Sequence, residues 1–225
     1  MNPAMMSRLT RIDLSLYLIA DVEFTAGRDL VALVRQAVRG GVTAVQLRAK
    51  GIETREFLKL ALRMAPVLRT QSIPLIVNDR VDIAMACRAN GVHLGQDDMP
   101  PDQARRLLGR SKIIGVSVNT LKEAREAGRL GADYIGLGPI FPTATKDTAL
   151  PIVGLEGVRR MRKKIDIPII AIGGIQTGNA GDVMKAGAVG IAVVSAVLGA
   201  ADVRKAAADI KALISVPDCR RGSVR

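Results

Sequence analysis

Hydrophobic positions along this chain alternate between two periods. Short apolar runs rich in Ile, Val and Leu occur at 14–21 (LSLYLIAD), 44–49 (AVQLRA), 74–79 (PLIVND), 91–96 (GVHLGQ), 112–118 (KIIGVSV), 134–140 (YIGLGPI), 168–174 (PIIAIGG) and 190–197 (GIAVVSAV). Their lengths and β-branched content predict eight strands. Between them the pattern changes to that of an amphipathic helix: Leu30, Leu33, Val34, Ala37 and Val38 fall on one face at i, i+3, i+4 and i+7. Strand, helix, strand in succession implies parallel pairing, because the crossover helix returns the chain to the same end of the sheet.

A weak repeat supports this. Gly41, Gly91, Gly131 and Gly187 each stand between a helical run and strands two, four, six and eight, as expected for left-handed residues that end a helix. Strands three and seven instead follow Ile-Pro (IPLIV, IPIIA). Strands apolar on both faces need helices on both sides or a closed sheet. An open doubly wound sheet is the rival, but YLIADVEFTAG lacks the GxGxxG fingerprint after strand one. The expected fold is therefore α/β: a single (β/α)8 TIM barrel with a parallel eight-stranded core over 14–215, a short N-terminal arm at 1–13 and a basic C-terminal tail at 216–225.

Composition narrows the class. In 225 residues, 48% are hydrophobic, enough to bury a core and inconsistent with disorder. No apolar run approaches the ~18 residues of a membrane span, and the first residues do not resemble a secretory leader, so a cytoplasmic location is expected. Cys87 and Cys219 are too few for a disulfide framework or a four-cysteine zinc site; Cys87 falls mid-helix, where packing is its expected role. The net charge of +12 would suit a nucleic-acid binder, but three Phe, two Tyr and no Trp leave no stacking platform. No nucleic-acid partner is expected. The remaining meaning of the charge is a solvated surface, or a field that attracts anionic small molecules.

Barrel active sites sit where the strands end. Strand two ends Gln46-Leu47-Arg48-Ala49-Lys50, and alternation puts Gln46, Arg48 and Lys50 on one face. Two cations there call for an anion, or else pair with a carboxylate. Strand three ends Asn78-Asp79, and strand four leads into Gln96-Asp97-Asp98. Carboxylates on adjacent loops without thiols suit a hard, oxygen-seeking ion such as Mg²⁺; helix capping is the competing explanation. Ser117 ends strand five, and the loop Thr143-Ala144-Thr145-Lys146 carries two hydroxyls and a cation. Gly173-Gly174 and Val194-Ser195 end strands seven and eight, the recurrent phosphate site of barrels. His93 inside GVHLG reads as a satisfied strand histidine. The inventory describes two anion pockets, one assisted by a metal, with no evident base or nucleophile.

These segments, with Val77-Asn78-Asp79-Arg80, Gly91 to Asp98, Gly115-Val116-Ser117, Gly138 to Lys146, Gly154-Leu155-Glu156-Gly157 and Ala171 to Ile175, resemble the thiamine phosphate synthase family over about residues 14–198. The resemblance implies a Mg²⁺-dependent barrel enzyme that joins a hydroxymethylpyrimidine diphosphate to a thiazole phosphate, giving thiamine phosphate and diphosphate. It implies a pyrimidine-diphosphate site at Gln46, Leu47, Arg48, Ala49, Lys50, Asn78, Ser117 and Lys146, with Arg48, Lys50, Ser117 and Lys146 as catalytic groups. It implies Asp79 and Asp98 as metal ligands. Thr143, Thr145, Gly174, Val194 and Ser195 would hold the thiazole phosphate, with Ala144 in the same loop, and a homodimer is what the family suggests. Ala49 departs from the family, where an acid is common, but lies on the opposite face from Arg48 and Lys50. Two other readings remain. Thiazole tautomerases resemble this barrel but place a histidine near the end of strand five, where this chain has Asn119. A non-enzymatic ligand-binding regulator would not need the acids at Asp79 and Asp98.

Overall fold

The computed structural model describes residues 12–143 and 150–215. All eight expected strands form: β1 (Leu16–Asp21), β2 (Ala44–Arg48), β3 (Leu75–Asn78), β4 (Gly91–Leu94), β5 (Ile113–Val118), β6 (Tyr134–Leu137), β7 (Ile169–Ile172) and β8 (Gly190–Val193). Each pairs in parallel with the next, and β8 pairs with β1 to close the barrel. The crossover helices are α1 (Leu30–Arg39), α2 (Thr54–Arg69), α3 (Val81–Ala86), α4 (Pro101–Leu108), α5 (Leu121–Arg129), α6 (Gly154–Arg162) and α7 (Ala180–Lys185). A short α8 (Ser195–Leu198) and α9 (Val203–Ile214) follow β8.

Strand alternation divides the apolar residues into two layers. Leu16, Leu18, Val45, Leu47, Val77 and Ile135 face outward and pack with α-helical residues such as Val34, Phe57 and Met64. Tyr17, Ile19, Ala44, Ile76, Ile113, Tyr134 and Ile170 fill the barrel interior. Local chemistry sets the helix ends. Asp29 caps α1 by accepting from the amides of Val31 and Ala32, and Thr120 and Glu123 form a capping box on α5. Pro101 occupies the first turn of α4, where a missing amide proton costs nothing.

Three expectations at element ends change. Gly41, Gly131 and Gly187 do adopt positive φ, but Gly91 does not; it is the first residue of β4, and a Cβ there would lie 2.1 Å from the Ile113 carbonyl oxygen. Close strand approach, not a left-handed turn, requires that glycine. The left-handed residue after α3 is Arg88, at φ 55°. Cys87 lies not mid-helix but one residue past α3, buried at its C-terminus. The eighth strand stops at Val193, so Val194 is the N-cap of α8 and Ser195 its first residue. Of the N-terminal arm only residues 12 and 13 are described; the C-terminal tail and Cys219 lie outside the described residues.

Candidate active site

A cavity of about 420 Å³ opens at the carboxyl ends of the strands. One wall comes from β1 and β2. Arg48, at the end of β2, forms an ion pair with Asp21 at the end of β1; their side chains are 17% and 5% exposed. The two residues are register partners, so the pair is built by strand alignment. Arg48 is thus a compensated cation, as the competing reading of strand two allowed, yet it still lines the cavity. Leu47 and Ala49 face the opposite way, into the layer between barrel and helices, which leaves only their backbone for a ligand.

Asp79 follows β3 at φ 62°, a left-handed conformation uncommon outside glycine and best tolerated by Asn and Asp. It does not cap α3, whose N-cap residue is Arg80 with no side-chain capping bond. Its carboxylate lies 3.6 Å from Lys50 Nζ. Burial, then the hydrogen bond and repulsion from Asp98, push the Asp79 carboxyl up to about 6, against the lowering pull of Lys50. Asp98 accepts a 2.6 Å hydrogen bond from the Gly95 amide, which anchors it facing Asp79; Asp97 is exposed to solvent. A carboxyl whose charge is disfavoured by burial and by a neighbouring carboxylate is the donor chemistry an oxygen-seeking cation relieves. Among the described residues no third acidic, thiol or imidazole group joins them. That suits Mg²⁺, which commonly keeps waters and takes its other oxygens from substrate phosphates.

The other wall is glycine-rich. Gly173 and Gly174 line the cavity at positive φ, 99° and 65°, and a Cβ on Gly174 would lie 2.5 Å from the Pro142 carbonyl oxygen. Asn179 Nδ2 donates to the Gly174 carbonyl at 3.0 Å and so fixes the turn. Thr143, Val194 and Ser195 complete this wall. Asn78 and Ser117 also reach the cavity. Ala144, Thr145 and Lys146 lie outside the described residues. Lys50, Asp79 and Asp98 stand beside the cavity rather than in its lining.

Sequence reasoning missed Asp21, Tyr17 and Tyr134, which all line the cavity. An acid ending an otherwise apolar strand was a usable signal for Asp21; the two tyrosines read as ordinary strand residues. His93 is a satisfied strand histidine as expected, 7% exposed, but it also faces the cavity. Asn119 donates to the Gly138 carbonyl and cannot stand in for an imidazole base.

A closed parallel barrel whose polar residues gather at its carboxyl rim, cations on one wall and a glycine turn on the other, belongs to the class of barrel enzymes that bind phosphorylated small molecules. The comparisons sharpen that class. The family model for thiamine monophosphate synthase matches residues 16–197. A thiamine-phosphate synthase of Chloroflexus aurantiacus is 52% identical, covering 91% of this chain and 94% of its own length. One from Albidiferax ferrireducens is 51% identical over 89% of this chain and 92% of its own. The solved thiamine phosphate pyrophosphorylase from Pyrococcus furiosus superposes with a TM-score of 0.83 at 42% identity, covering 91% and 97% of the two chains. A 3-hexulose-6-phosphate synthase, 19% identical with a TM-score of 0.65, shares the fold alone. The chain belongs to the thiamine monophosphate synthase family and is a transferase of that type.

Proposed function

We propose that this chain joins a pyrimidine methyl diphosphate to a thiazole phosphate, releasing diphosphate, with Mg²⁺ held by Asp79 and Asp98. The observation that carries the reading is the mutually repelling acidic pair beside Arg48 and Lys50, across the cavity from Gly173-Gly174. Bound there, Mg²⁺ would offset charge on the diphosphate oxygens and so improve the leaving group. Arg48 and Lys50, with Lys146 from the loop after β6, stabilise charge that develops as the methylene carbon–oxygen bond breaks. Asn78, Gln46 and Ser117 orient the pyrimidine, whose ring electrons support the cationic methylene. Thr143, Thr145, Gly174, Val194 and Ser195 hold the thiazole phosphate so that the ring nitrogen faces that carbon. The nitrogen brings its own lone pair to the new carbon–nitrogen bond, so no enzymic base is needed to create the nucleophile. Positioning two bound partners supplies much of the acceleration.

Among the described residues no helix is long and apolar enough to cross a membrane. Membrane-impermeant phosphorylated substrates go with a cytoplasmic location, and light scattering tests the homodimer. The decisive assay is diphosphate release by purified protein with both substrates, repeated with each substrate omitted and with EDTA. Release only when both substrates and Mg²⁺ are present supports the reading; release unaffected by EDTA refutes the metal assignment, and no release refutes the function.

A further inference from the structure

Beneath the phosphate-binding groups lies a polar assembly that the reaction scheme leaves largely unused. Gln46 Nε2 donates to Tyr17 Oη at 3.3 Å. Tyr17 Oη meets Tyr134 Oη at 2.9 Å, Tyr134 Oη meets His93 Nδ1 at 3.0 Å, and His93 Nε2 meets Ser117 Oγ at 2.9 Å. The chain crosses the barrel interior through β2, β1, β6, β4 and β5. It is a built feature. The two tyrosine rings pack edge to face with centroids 6.0 Å apart, and the imidazole lies 5.5 Å from Tyr134. A Cβ on Gly115 would stand 2.1 Å from Tyr134 Cζ, and one on Gly136 would stand 3.0 Å from His93 Cε1. Two strand glycines are therefore needed to house the rings.

Proton counting gives the chain a direction. Tyr17 and Tyr134 are 1% and 0% exposed, and a buried hydroxyl whose proton finds no acceptor is costly. Burial raises both phenols, so both keep their protons. Tyr17 oxygen receives the Gln46 amide proton, so its own proton goes to Tyr134. Tyr134 already accepts from Tyr17, so its proton goes to His93 Nδ1. A neutral imidazole that accepts at Nδ1 carries its proton on Nε2, and that proton goes to Ser117 Oγ. The Ser117 proton is then left facing the cavity. Turning the Gln46 amide so that its carbonyl met Tyr17 would reverse every step.

We propose that His93 is a positioning residue, fixed as its Nε2–H tautomer by a one-way chain from Gln46, and that it makes Ser117 a hydrogen-bond donor to the substrate. The ligand atom facing Ser117 must then offer a lone pair, as an unprotonated ring nitrogen of a neutral heterocycle does; the same ring alkylated at that nitrogen is refused. This deepens the synthase reading by assigning polarity to its pyrimidine site, but the main test needs no substrate.

His93 is the only histidine in the chain, so a long-range proton–nitrogen NMR spectrum of the imidazole reports one residue. Well above the usual imidazole pKa of about 6.5, the wild-type protein should show a protonated Nε2 and an unprotonated Nδ1; a protonated Nδ1 overturns the proposal. Gln46→Glu leaves the shape nearly unchanged but replaces the donor with an acceptor. Tyr17 should then donate to the new carboxylate, Tyr134 to Tyr17, and His93 from Nδ1, although the substitution lies two tyrosines away. A proton on Nδ1, in the other neutral tautomer or in imidazolium, is the expected result; an unchanged Nε2–H tautomer refutes the one-way chain. Tyr134→Phe, which cuts the chain beside His93, keeps the idea testable should the Glu variant not fold: it should move the Nδ1 resonance away from its wild-type position and lower kcat/KM for the pyrimidine about tenfold. An Nδ1 resonance that does not move contradicts the proposal. A correct wild-type tautomer in a protein that releases no diphosphate would leave the chain standing and reject the synthase reading alone.

Discussion

Replacing Asp79 with Asn should stabilise the metal-free protein. In the folded chain the Asp79 carboxyl titrates at about 6, raised from 3.8 by burial first and by Asp98 second, with Lys50 opposing. Because the folded-state value lies above the unfolded one, the folded protein binds this proton more tightly. The resulting stability is present below the ordinary carboxylate range and is lost as pH rises through about 6. At neutral pH the ionised group therefore weakens the fold. A rise of about two units corresponds to at most about 3 kcal/mol at 1.36 kcal/mol per unit. The side chain is 22% exposed, and removing it also removes a weak surface contact to Lys50, so a gain of roughly 1–2 kcal/mol is expected. For a chain of this size that is a rise in Tm of about 2–8 °C. Asn accepts the left-handed backbone at this position as readily as Asp does, so no conformational penalty offsets the gain. Thermal melts in EDTA, from neutral pH down to the carboxylate range, measure it. The advantage of the variant should shrink as pH falls through 6, and added Mg²⁺ should raise the wild-type Tm more than that of the variant. A variant less stable at neutral pH, or an advantage independent of pH, would refute the account of the acidic pair.

Other substitutions probe the remaining parts of the site. Lys146→Ala should lower turnover about 10²–10³-fold with little change in melting temperature, as for loss of one strong stabiliser of developing charge; steady-state kinetics decide it. Gly174→Ala places a Cβ at positive φ and 2.5 Å from the Pro142 oxygen, so the KM for thiazole phosphate should rise about tenfold or more, with the pyrimidine KM affected far less. Gly115→Ala forces a methyl into the Tyr134 ring and should cost about 1–3 kcal/mol in urea unfolding; an unchanged midpoint would mean that the ring relocates freely.

Much of the molecule is legible in one dimension. Parallel strands covered by helices are largely apolar on both faces, so all eight strands announce themselves as short runs rich in Ile, Val and Leu, and the helices as 3.6-residue periods. The rim residues Arg48, Lys50, Asp79 and Ser117 are legible because each is a polar group at or near the end of an apolar run, where core packing gives no reason for it, and Asp98 because an acidic pair stands in the loop that follows one. Ends are less legible, for identifiable reasons. Gly91 and Gly131 look alike in the sequence, because a helix terminator and a close strand contact both exclude a Cβ. Val194 and Ser195 extend an apolar run, and only the lost pairing after Val193 ends the strand.

Partnership is what the sequence could not carry. Asp21 meets Arg48, 27 residues away, only because β1 and β2 align in that register. Tyr17 reaches Tyr134, 117 residues on, only because the sheet closes and turns both inward. The sequence by itself determined the periods, the closed parallel sheet they require and the chemical types at its rim, since these depend on neighbours along the chain. Tertiary structure alone decided which charge faces which, that the acidic pair strains against itself, and that Gln46, two phenols, His93 and Ser117 share protons. Those depend on distances between strands, which no local pattern encodes.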